Sequence, residues 1–233
     1  MMWGLETIIP WTPVGGQAEI SALCALQSLP DLVGLIGSPN AGPRGRFGFV
    51  GIPHTVIELP ADASGFDSVL APKPNTLQIV ALGYELGRNW VKLQPEAPPR
   101  NQPSGLVFEF ASALIVDHRT EQIALVGSAH PTTTRLLRTV KQLLSRSHFV
   151  RIPPCGGGTL HPFVSDTIHG ERIQRTQKHI AAGNIYQANI ARRLLLTGHI
   201  NGVGALAALS KLNPVAHGAY LRWGNFELVS NTM

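Results

Sequence analysis

The stretch that decides the fold reads Gly183-Asn184-Ile185-Tyr186-Gln187-Ala188-Asn189-Ile190-Ala191-Arg192-Arg193. Gly183 suits the left-handed residue that follows a helix, so the preceding helix is predicted to end there. The next residues alternate between two faces as in a strand, with Gln187 and Asn189 on the same face. Both are neutral amides, which need specific hydrogen-bond partners when buried. The stretch therefore predicts a helix end followed by a strand.

The same stretch closely resembles the signature Gly-Asp-Ile-Tyr-Gln-Val-Asn-Leu of chorismate-utilising enzymes, in particular aminodeoxychorismate synthase component I. Tyr186 and Asn189 favour that branch over anthranilate synthase component I, which usually reads Phe-Gln-Val-Val there. Asn184 replaces the usual aspartate, so no charge function is expected at that position. The resemblance implies that Gln187 and Asn189 lie on a strand beside the chorismate cavity and shape the sheet rather than perform chemistry.

Composition favours a globular protein of mixed helix and strand. A chain of 233 residues with 44% hydrophobic residues can form a sizeable core in one or two domains. The 24 glycines and 18 prolines favour short strands and turns over a helical bundle. Together with the resemblance, this predicts an α+β fold with largely antiparallel sheets covered by helices, the front part of the two-sheet fold of anthranilate synthase component I-like proteins.

Charge and cysteine content argue against several classes of function. The net charge of +5 is scattered, without the concentrated basic patch of a nucleic-acid-binding protein. A basic surface would suit an anionic small molecule such as a dicarboxylate. Cys24 and Cys155 match no metal-ligand spacing and accompany no export signal, which predicts free thiols. No segment approaches ~20 apolar residues, so a cytoplasmic protein without nucleic-acid or membrane partners is expected.

Periodicity and turn residues predict the remaining elements. Pro131 to Arg146 has the clearest amphipathic helical pattern, and Ser165 to Thr167 are candidate caps for a helix that ends at Ala181. Gly224-Asn225 predicts a two-residue hairpin turn. The other predicted helices span 17–29 and 205–212, and the predicted strands span 32–36, 45–51, 110–117, 123–126, 217–223 and 226–230.

The run Pro153-Pro154-Cys155-Gly156-Gly157-Gly158 is the best linker candidate. Its glycines do not form a phosphate loop, because no Lys-Ser/Thr follows them. With the resemblance, this break predicts an N-terminal anthranilate synthase component I-like domain over 1–150. Residues 151–233 are then the start of a chorismate-binding domain that is incomplete.

Two early segments also resemble the family. Leu35-Ile36-Gly37-Ser38 is similar to its Leu-Leu-Glu-Ser element, with glycine in place of glutamate, and Gly45 to Phe49 is similar to its Gly-Arg-Tyr-Ser/Gly-Phe strand. In the family these elements help to line a tryptophan pocket between the sheets, which implies Ser38, Arg46 and Phe47 as pocket residues. Residue types alone leave a plainer alternative open, in which Ser38 caps a turn and Arg46 is a solvated strand residue.

Asn213 to Leu221 resembles the family's Asn-Pro-Ser-Pro-Tyr-Met-Ala-Tyr-Leu. Asn213, Pro214 and Gly218 align with positions that contact tryptophan in family members, and His217 joins them as a pocket candidate. His217 and Gly218 replace tyrosine and methionine, which leaves a smaller, more polar wall and argues against tight binding of tryptophan.

Three further motifs are interpreted as structural. Gly83 to Gly87 resembles the family's Gly-Tyr-Glu-Leu-Gly and is interpreted as defining the fold. A carboxylate can orient an imidazole, as in Asp117-His118, but the family has a similar pair at this turn without using it for chemistry, so both are interpreted as turn residues. His169 stands where the family usually has tyrosine and has no second ligand at helical spacing.

The resemblance runs from about Leu35 to Thr232 and covers only the front part of the family. There the final segment continues into Pro-Glu and a long catalytic portion, which holds the acid/base Glu and His, a Pro-Ile-Lys-Gly-Thr lysine and the carboxylates that bind magnesium. The resemblance therefore implies neither catalytic residues nor metal ligands in this chain. We expect the chain alone to bind no magnesium, to lack chorismate-aminating activity and, because its last hairpin strand leaves an unpaired edge, to be poorly soluble.

Several hypotheses about function stay open at this point. The first is a truncated aminodeoxychorismate synthase component I, whose full-length relatives convert chorismate and ammonia to 4-amino-4-deoxychorismate for para-aminobenzoate and folate biosynthesis. Their ammonia comes from a glutamine amidotransferase subunit, component II. The alternatives are an anthranilate synthase component I-type fragment and a non-catalytic module that binds tryptophan. A truncated gene model would also explain the sequence, and the nucleotides after the Met233 codon would test it.

Overall fold

A computed structural model of the chain describes residues 5–10, 18–38, 42–62, 64–74, 76–89, 91, 102–145 and 151–232. The helices are α1 (Ala18–Leu26), α2 (Phe66–Leu70), α3 (Pro131–Ser145), α4 (Asp166–Ala181) and α5 (Gly202–Leu212). The strands are β1 (Leu5–Pro10), β2 (Asp31–Ile36), β3 (Phe47–Gly51), β4 (Thr55–Glu58), β5 (Leu77–Leu82), β6 (Gly105–Phe110), β7 (Ser112–Asp117), β8 (Gln122–Gly127), β9 (Gly156–Pro162), β10 (Leu194–Ile200), β11 (His217–Trp223) and β12 (Phe226–Thr232). Short 3₁₀ turns cover Pro43–Gly45 and Tyr84–Asn89.

The described residues divide into two compact units. The first combines the described parts of 1–155 and 202–233, and the second consists of 156–201. These units are defined by contacts between residues and do not test where a domain begins in the sequence. The domain boundary predicted between 150 and 151 therefore stays a prediction. No helix of the described ranges is both long and apolar enough to span a bilayer.

A seven-stranded sheet organises the first unit, in the order β1-β8-β7-β3-β2-β11-β12. All six neighbouring pairs are antiparallel. The predicted hairpin is present, because β11 and β12 pair from His217 opposite Thr232 to Trp223 opposite Phe226 around a turn with Gly224 at φ 55°. The α+β class with antiparallel sheets covered by helices is confirmed.

Helices α1, α3 and α5 contribute to the core on one face of this sheet. Leu23 and Leu206 from two of the helices pack with Leu32 and Tyr220 of the strands in one buried cluster. Gly34 lets α1 approach closely, because a Cβ at this position would lie 2.7 Å from Leu23 Cδ1. Burying several large side chains at about 1.5–3 kcal/mol each supplies much of the stability of this layer.

The other face of the sheet packs against a three-stranded sheet of order β4-β6-β5. Phe49 and Phe110 meet edge to face between the sheets, with ring centroids 5.1 Å apart. Strand β7 serves both layers, since Leu114 belongs to the helix-side core and Ala113 to the core between the sheets. This is the alternation that the period-two pattern predicts.

One predicted strand is two strands. The pattern from Phe110 to Asp117 predicts a single element, but β6 ends at Phe110 in the small sheet and β7 begins at Ser112 in the large sheet. The alternation changes phase at the break, because Phe108 and Phe110 of β6 and Ala113 of β7 all contribute to the core between the sheets. The hydrogen-bonding partners change there from β4 and β5 to β3 and β8. Periodicity reports which face is buried and does not identify the neighbouring strand.

Helix α4 ends as predicted. The Ser165 side chain accepts a hydrogen bond from the Ile168 amide at its start. At its end, Gly183 has φ 74° and donates its amide to Ile180, while the Asn184 amide reaches the carbonyl of His179. These two bonds form the Schellman arrangement that closes many helices.

Candidate functional site

The strand register brings the segments 35–38 and 45–49 and the start of β11 to one end of the seven-stranded sheet. Ile36, the last residue of β2, lies opposite Gly218 near the start of β11. On its other side β2 pairs with β3, with Leu35 opposite Phe49. The residues at this end are called the sheet end here: Gly37, Ser38, Gly45 to Phe47, Asp117, His118, His217 and Gly218. The sheet end therefore gathers five of the seven predicted tryptophan-pocket residues.

Ser38 is buried at the sheet end, with 3% of its surface exposed. A Cβ at Gly45 would lie 2.0 Å from the Ser38 carbonyl oxygen, so the two backbone segments are in close contact. A solvated turn cap would be exposed. The burial of Ser38 is therefore compatible with a lining residue, and its role in binding stays a prediction.

Arg46 forms a clamp between β3 and the turn after β7. Its Nε donates to Asp117 Oδ1 at 2.9 Å and its Nη2 to Oδ2 at 2.5 Å, and its carbonyl accepts from the His118 amide at 2.9 Å. This guanidinium holds the pKa of Asp117 well below its usual range. The guanidinium also lies 4.5 Å from the centre of the Phe47 ring, which is 56% exposed. Two Arg46 donors are thus already engaged within the fold.

The other pocket candidates lie along the connection from α5 to β11. Asn213, Pro214 and His217 are exposed, and Gly218 is buried. The Asn213 carbonyl accepts from the Asn231 side chain at 3.0 Å, which ties this connection to β12. A Cβ at Gly218 would be only 3.3 Å from Ile36 Cβ, so the glycine allows the two strands to pack closely.

The sheet end also contains a buried carboxylate that the sequence motifs did not indicate. Glu19 of α1 is fully buried, and its Oε1 lies 2.7 Å from His118 Nε2 and accepts from the Gly37 amide at 3.3 Å. The hydrogen bond to Glu19 raises the pKa of His118, although burial opposes the shift. His118 is in the predicted turn but is a buried partner of a helix. The one signal in the sequence is that Glu19 is the single charged residue of a largely apolar α1.

The segment 184–193 lies in the second unit and differs from its prediction. It has no strand structure, so the predicted strand with Gln187 and Asn189 beside a cavity is wrong as secondary structure. The physical reason is the lack of a neighbour, because β9 pairs with 194–200 and no described strand runs beside 185–193. The segment instead returns along α4, from Asn184 at His179 to an Arg192 ion pair with Asp166. Gln187 and Asn189 are exposed, and Tyr186 is 94% exposed.

Comparison with known families gives a clear result. A family model described as chorismate binding enzyme matches residues 55–233, more than half of the chain. The chain belongs to the chorismate binding enzyme family. Its fold is anthranilate synthase component I-like, as the structural comparison below shows.

Two relatives of this chain are considerably longer than the chain itself. The chain is 24% identical over 213 residues to anthranilate synthase component 1 of Streptomyces coelicolor, covering 76% of this chain and 41% of the relative. The structure of anthranilate synthase component I from Streptococcus pneumoniae TIGR4 matches with a TM-score of 0.63 over 79% of this chain and 49% of that chain, at 14% identity. The chain thus spans about half, or less, of these two relatives, and the structural likeness shows the fold alone.

The resemblance implies magnesium for complete members of the chorismate binding enzyme family. Magnesium prefers several oxygen ligands in near-octahedral geometry. Within the described ranges, no group of three or more His, Cys, Asp or Glu side chains is placed to hold a metal ion. The chemistry proposed below therefore assigns no metal-binding role to these residues.

Proposed function

We propose that this chain is part of an aminodeoxychorismate synthase component I, which converts chorismate and ammonia to 4-amino-4-deoxychorismate for para-aminobenzoate and folate biosynthesis. One observation supports this branch: Tyr186-Gln187-Ala188-Asn189 matches its signature more closely than the Phe-Gln-Val-Val of anthranilate synthase component I. The ammonia would come from a component II glutamine amidotransferase. The alternative is an anthranilate synthase component I-type activity, which the names of the two relatives favour.

In this proposal the motif side chains shape a binding surface and transfer no proton. Tyr186, Gln187 and Asn189 are exposed, so they are free to contact a substrate or another part of a complete protein. Neutral amides can donate hydrogen bonds to the carboxylates of chorismate without adding a charge. We assign no catalytic residue to the 233 residues, and we propose that they do not aminate chorismate alone.

An activity assay tests the proposed inactivity of the chain. The purified 233-residue chain is incubated with chorismate, magnesium and ammonium, and products are separated by liquid chromatography and identified by mass. We expect no conversion above the protein-free control, because the motif supplies binding groups only. Turnover by this chain would refute the proposed inactivity.

The branch is tested in the protein encoded by the complete reading frame, if sequencing past the Met233 codon shows one. We expect 4-amino-4-deoxychorismate, and formation of fluorescent anthranilate by the unmodified protein would overturn the assignment. The double variant Y186F/N189V, which introduces the anthranilate-type residues, is expected to lower the aminodeoxychorismate yield at least about tenfold. The matched control A188V introduces the valine common to both signatures and should leave the product unchanged.

A second candidate function is binding of an amino acid such as tryptophan at the sheet end. The observation that favours it is the convergence of buried Ser38 with Arg46, Phe47, His217 and Gly218 at this one place. Calorimetric titration with L-tryptophan is expected to show weak binding without turnover. The S38A variant should weaken binding at least about fivefold, the value of one hydrogen bond, whereas S28A, at an exposed serine, should not. Absence of binding would favour an inactive fragment.

A further inference from the structure

The Glu19 carboxylate links three separate parts of the sheet end. Glu19 belongs to α1, the amide that it accepts from belongs to Gly37 after β2, and the imidazole beside it belongs to His118 after β7. Both contacts use Oε1, while Oε2 is buried without a hydrogen-bond partner among the described residues. Burying a carboxylate with one oxygen unpaired destabilises the folded state. The contacts of Oε1 with the imidazole and the Gly37 amide must offset that destabilisation.

Two glycines make room for this pair. A Cβ at Gly48 would lie 1.7 Å from Glu19 Oε1 and 2.7 Å from Glu19 Cγ. A Cβ at Gly37 would lie 2.9 Å from His118 Cδ2 and 2.6 Å from the Gly45 carbonyl oxygen. Side chains are thus excluded from the adjoining positions of β3 and of the chain after β2. The carboxylate and imidazole occupy a space shaped for them.

The charges around the pair favour a protonated imidazole. His118 faces Glu19 from α1 and Asp117 from its own turn, and both carboxylates favour the charged ring. Arg46 donates hydrogen bonds to Asp117, and its positive charge offsets part of the effect of Asp117 on the His118 ring. The side chains of Glu19 and His118 are at most 5% exposed, so solvent screens their interaction little.

We propose that Glu19 and His118 form a proton-dependent latch that fixes the backbone at Gly37 and Ser38. One oxygen accepts from the Gly37 amide and lies against the imidazole, so loss of the proton from the ring weakens the anchor of this backbone. The proposed effect on the backbone at Gly37 does not depend on any ligand. An effect on amino-acid binding, in contrast, rests on the second candidate function proposed above. In that case Glu19 and His118 are positioning residues that act through Ser38.

The direction of the pH dependence follows from the raised pKa of His118. The stabilisation is fully present below the unfolded histidine value of about 6.5 and is lost as pH rises through the folded pKa. We therefore expect the Gly37 anchor to be tight near about pH 6 and looser near about pH 9.

Nuclear magnetic resonance of the full chain tests the latch without any ligand. The His118 ring signal, identified by its loss in H118Q, should titrate above the ordinary histidine range, and in E19Q its midpoint should fall by about one pH unit or more. Amide exchange at Gly37, compared at one pH, should accelerate at least about tenfold in E19Q and H118Q. The matched control E171Q, at an exposed glutamate of α4, should change neither quantity. An ordinary His118 titration, or equal behaviour of E19Q and E171Q, would overturn the proposal.

Two further readouts keep the outcomes distinct. Thermal unfolding of each variant shows whether it is folded. If E19Q is not folded, amide exchange in H118Q alone decides whether protection of the Gly37 amide depends on the imidazole. Tryptophan titrations near about pH 6 and pH 9 test the dependent step, with binding expected to weaken at least about threefold at the higher pH. If the unmodified chain binds no tryptophan at either pH, the amino-acid function fails while the titration and exchange data still judge the latch. Binding with no pH dependence would refute the link between the latch and the ligand site.

Discussion

Replacing Gly48 with alanine is expected to lower the free energy of unfolding by about 3 kcal/mol. The added methyl carbon would lie 1.7 Å from Glu19 Oε1, 2.4 Å from Cδ and 2.7 Å from Cγ. Because Glu19 is fully buried, its side chain has no solvent-filled space to move into. The methyl group must therefore either push α1 away from the sheet or break the contact with His118. Urea unfolding of the variant and of the unmodified chain measures the difference.

Two controls isolate the cause of the G48A effect. G87A adds the same methyl group where nothing lies within 4 Å, so its effect should stay within about 0.5 kcal/mol. Combining G48A with E19A should cost less than the sum of the two single changes, because the second change removes the atoms that the methyl group meets. Strict additivity would show that Glu19 is not the obstacle.

The variant R222A is expected to destabilise the fold by about 2–4 kcal/mol. Arg222 of β11 donates through Nε to Glu227 Oε1 at 2.8 Å and through Nη1 to the carbonyls of Gln27 and Leu29 after α1. Glu227 in turn accepts the Gly202 amide at the start of α5, at 3.1 Å. Removing the guanidinium takes the arginine donor away from Oε1 of a half-buried carboxylate and from two backbone carbonyls. Thermal or urea unfolding reports the loss.

Matched variants separate charge from geometry at Arg222. R222K keeps the charge, but an ammonium group cannot donate to the carboxylate and to both carbonyls as the planar guanidinium does. We therefore expect R222K to lose about half of the stability that R222A loses. R119A removes an exposed arginine and should change stability by less than about 0.5 kcal/mol. If R222A and R119A behave alike, the network does not hold α1 and α5 to the hairpin.

Local patterns in the sequence predicted much of the fold. The amphipathic repeat from Pro131 predicted α3 to within one residue of its observed end at Ser145. Gly224-Asn225 predicted the hairpin, since such residues adopt the turn that matches the twist of the strands. These features are encoded by residues close together in the chain, so a short window of sequence is enough to identify them.

Features that depend on distant partners were predicted less well. The alternation at 185–190 is that of a strand, yet a strand needs a neighbour, and none is described beside these residues. Glu19 was missed because its partner His118 is 99 residues away, and nothing near either residue specifies the pairing. The family signature nevertheless identified the family correctly, because ancestry is recorded in residue identities whatever their backbone conformation.

The pairing of β9 with β10 has a topological consequence. Gly156 at the start of β9 is the cross-strand partner of Ile200 at the end of β10, so the two ends of this unit are roughly 5 Å apart. The intervening residues therefore form an insert that leaves and re-enters the rest of the chain at one point. A bridge of a few residues could close the gap after excision of the insert. The large sheet contains neither β9 nor β10, so its strand order would not change.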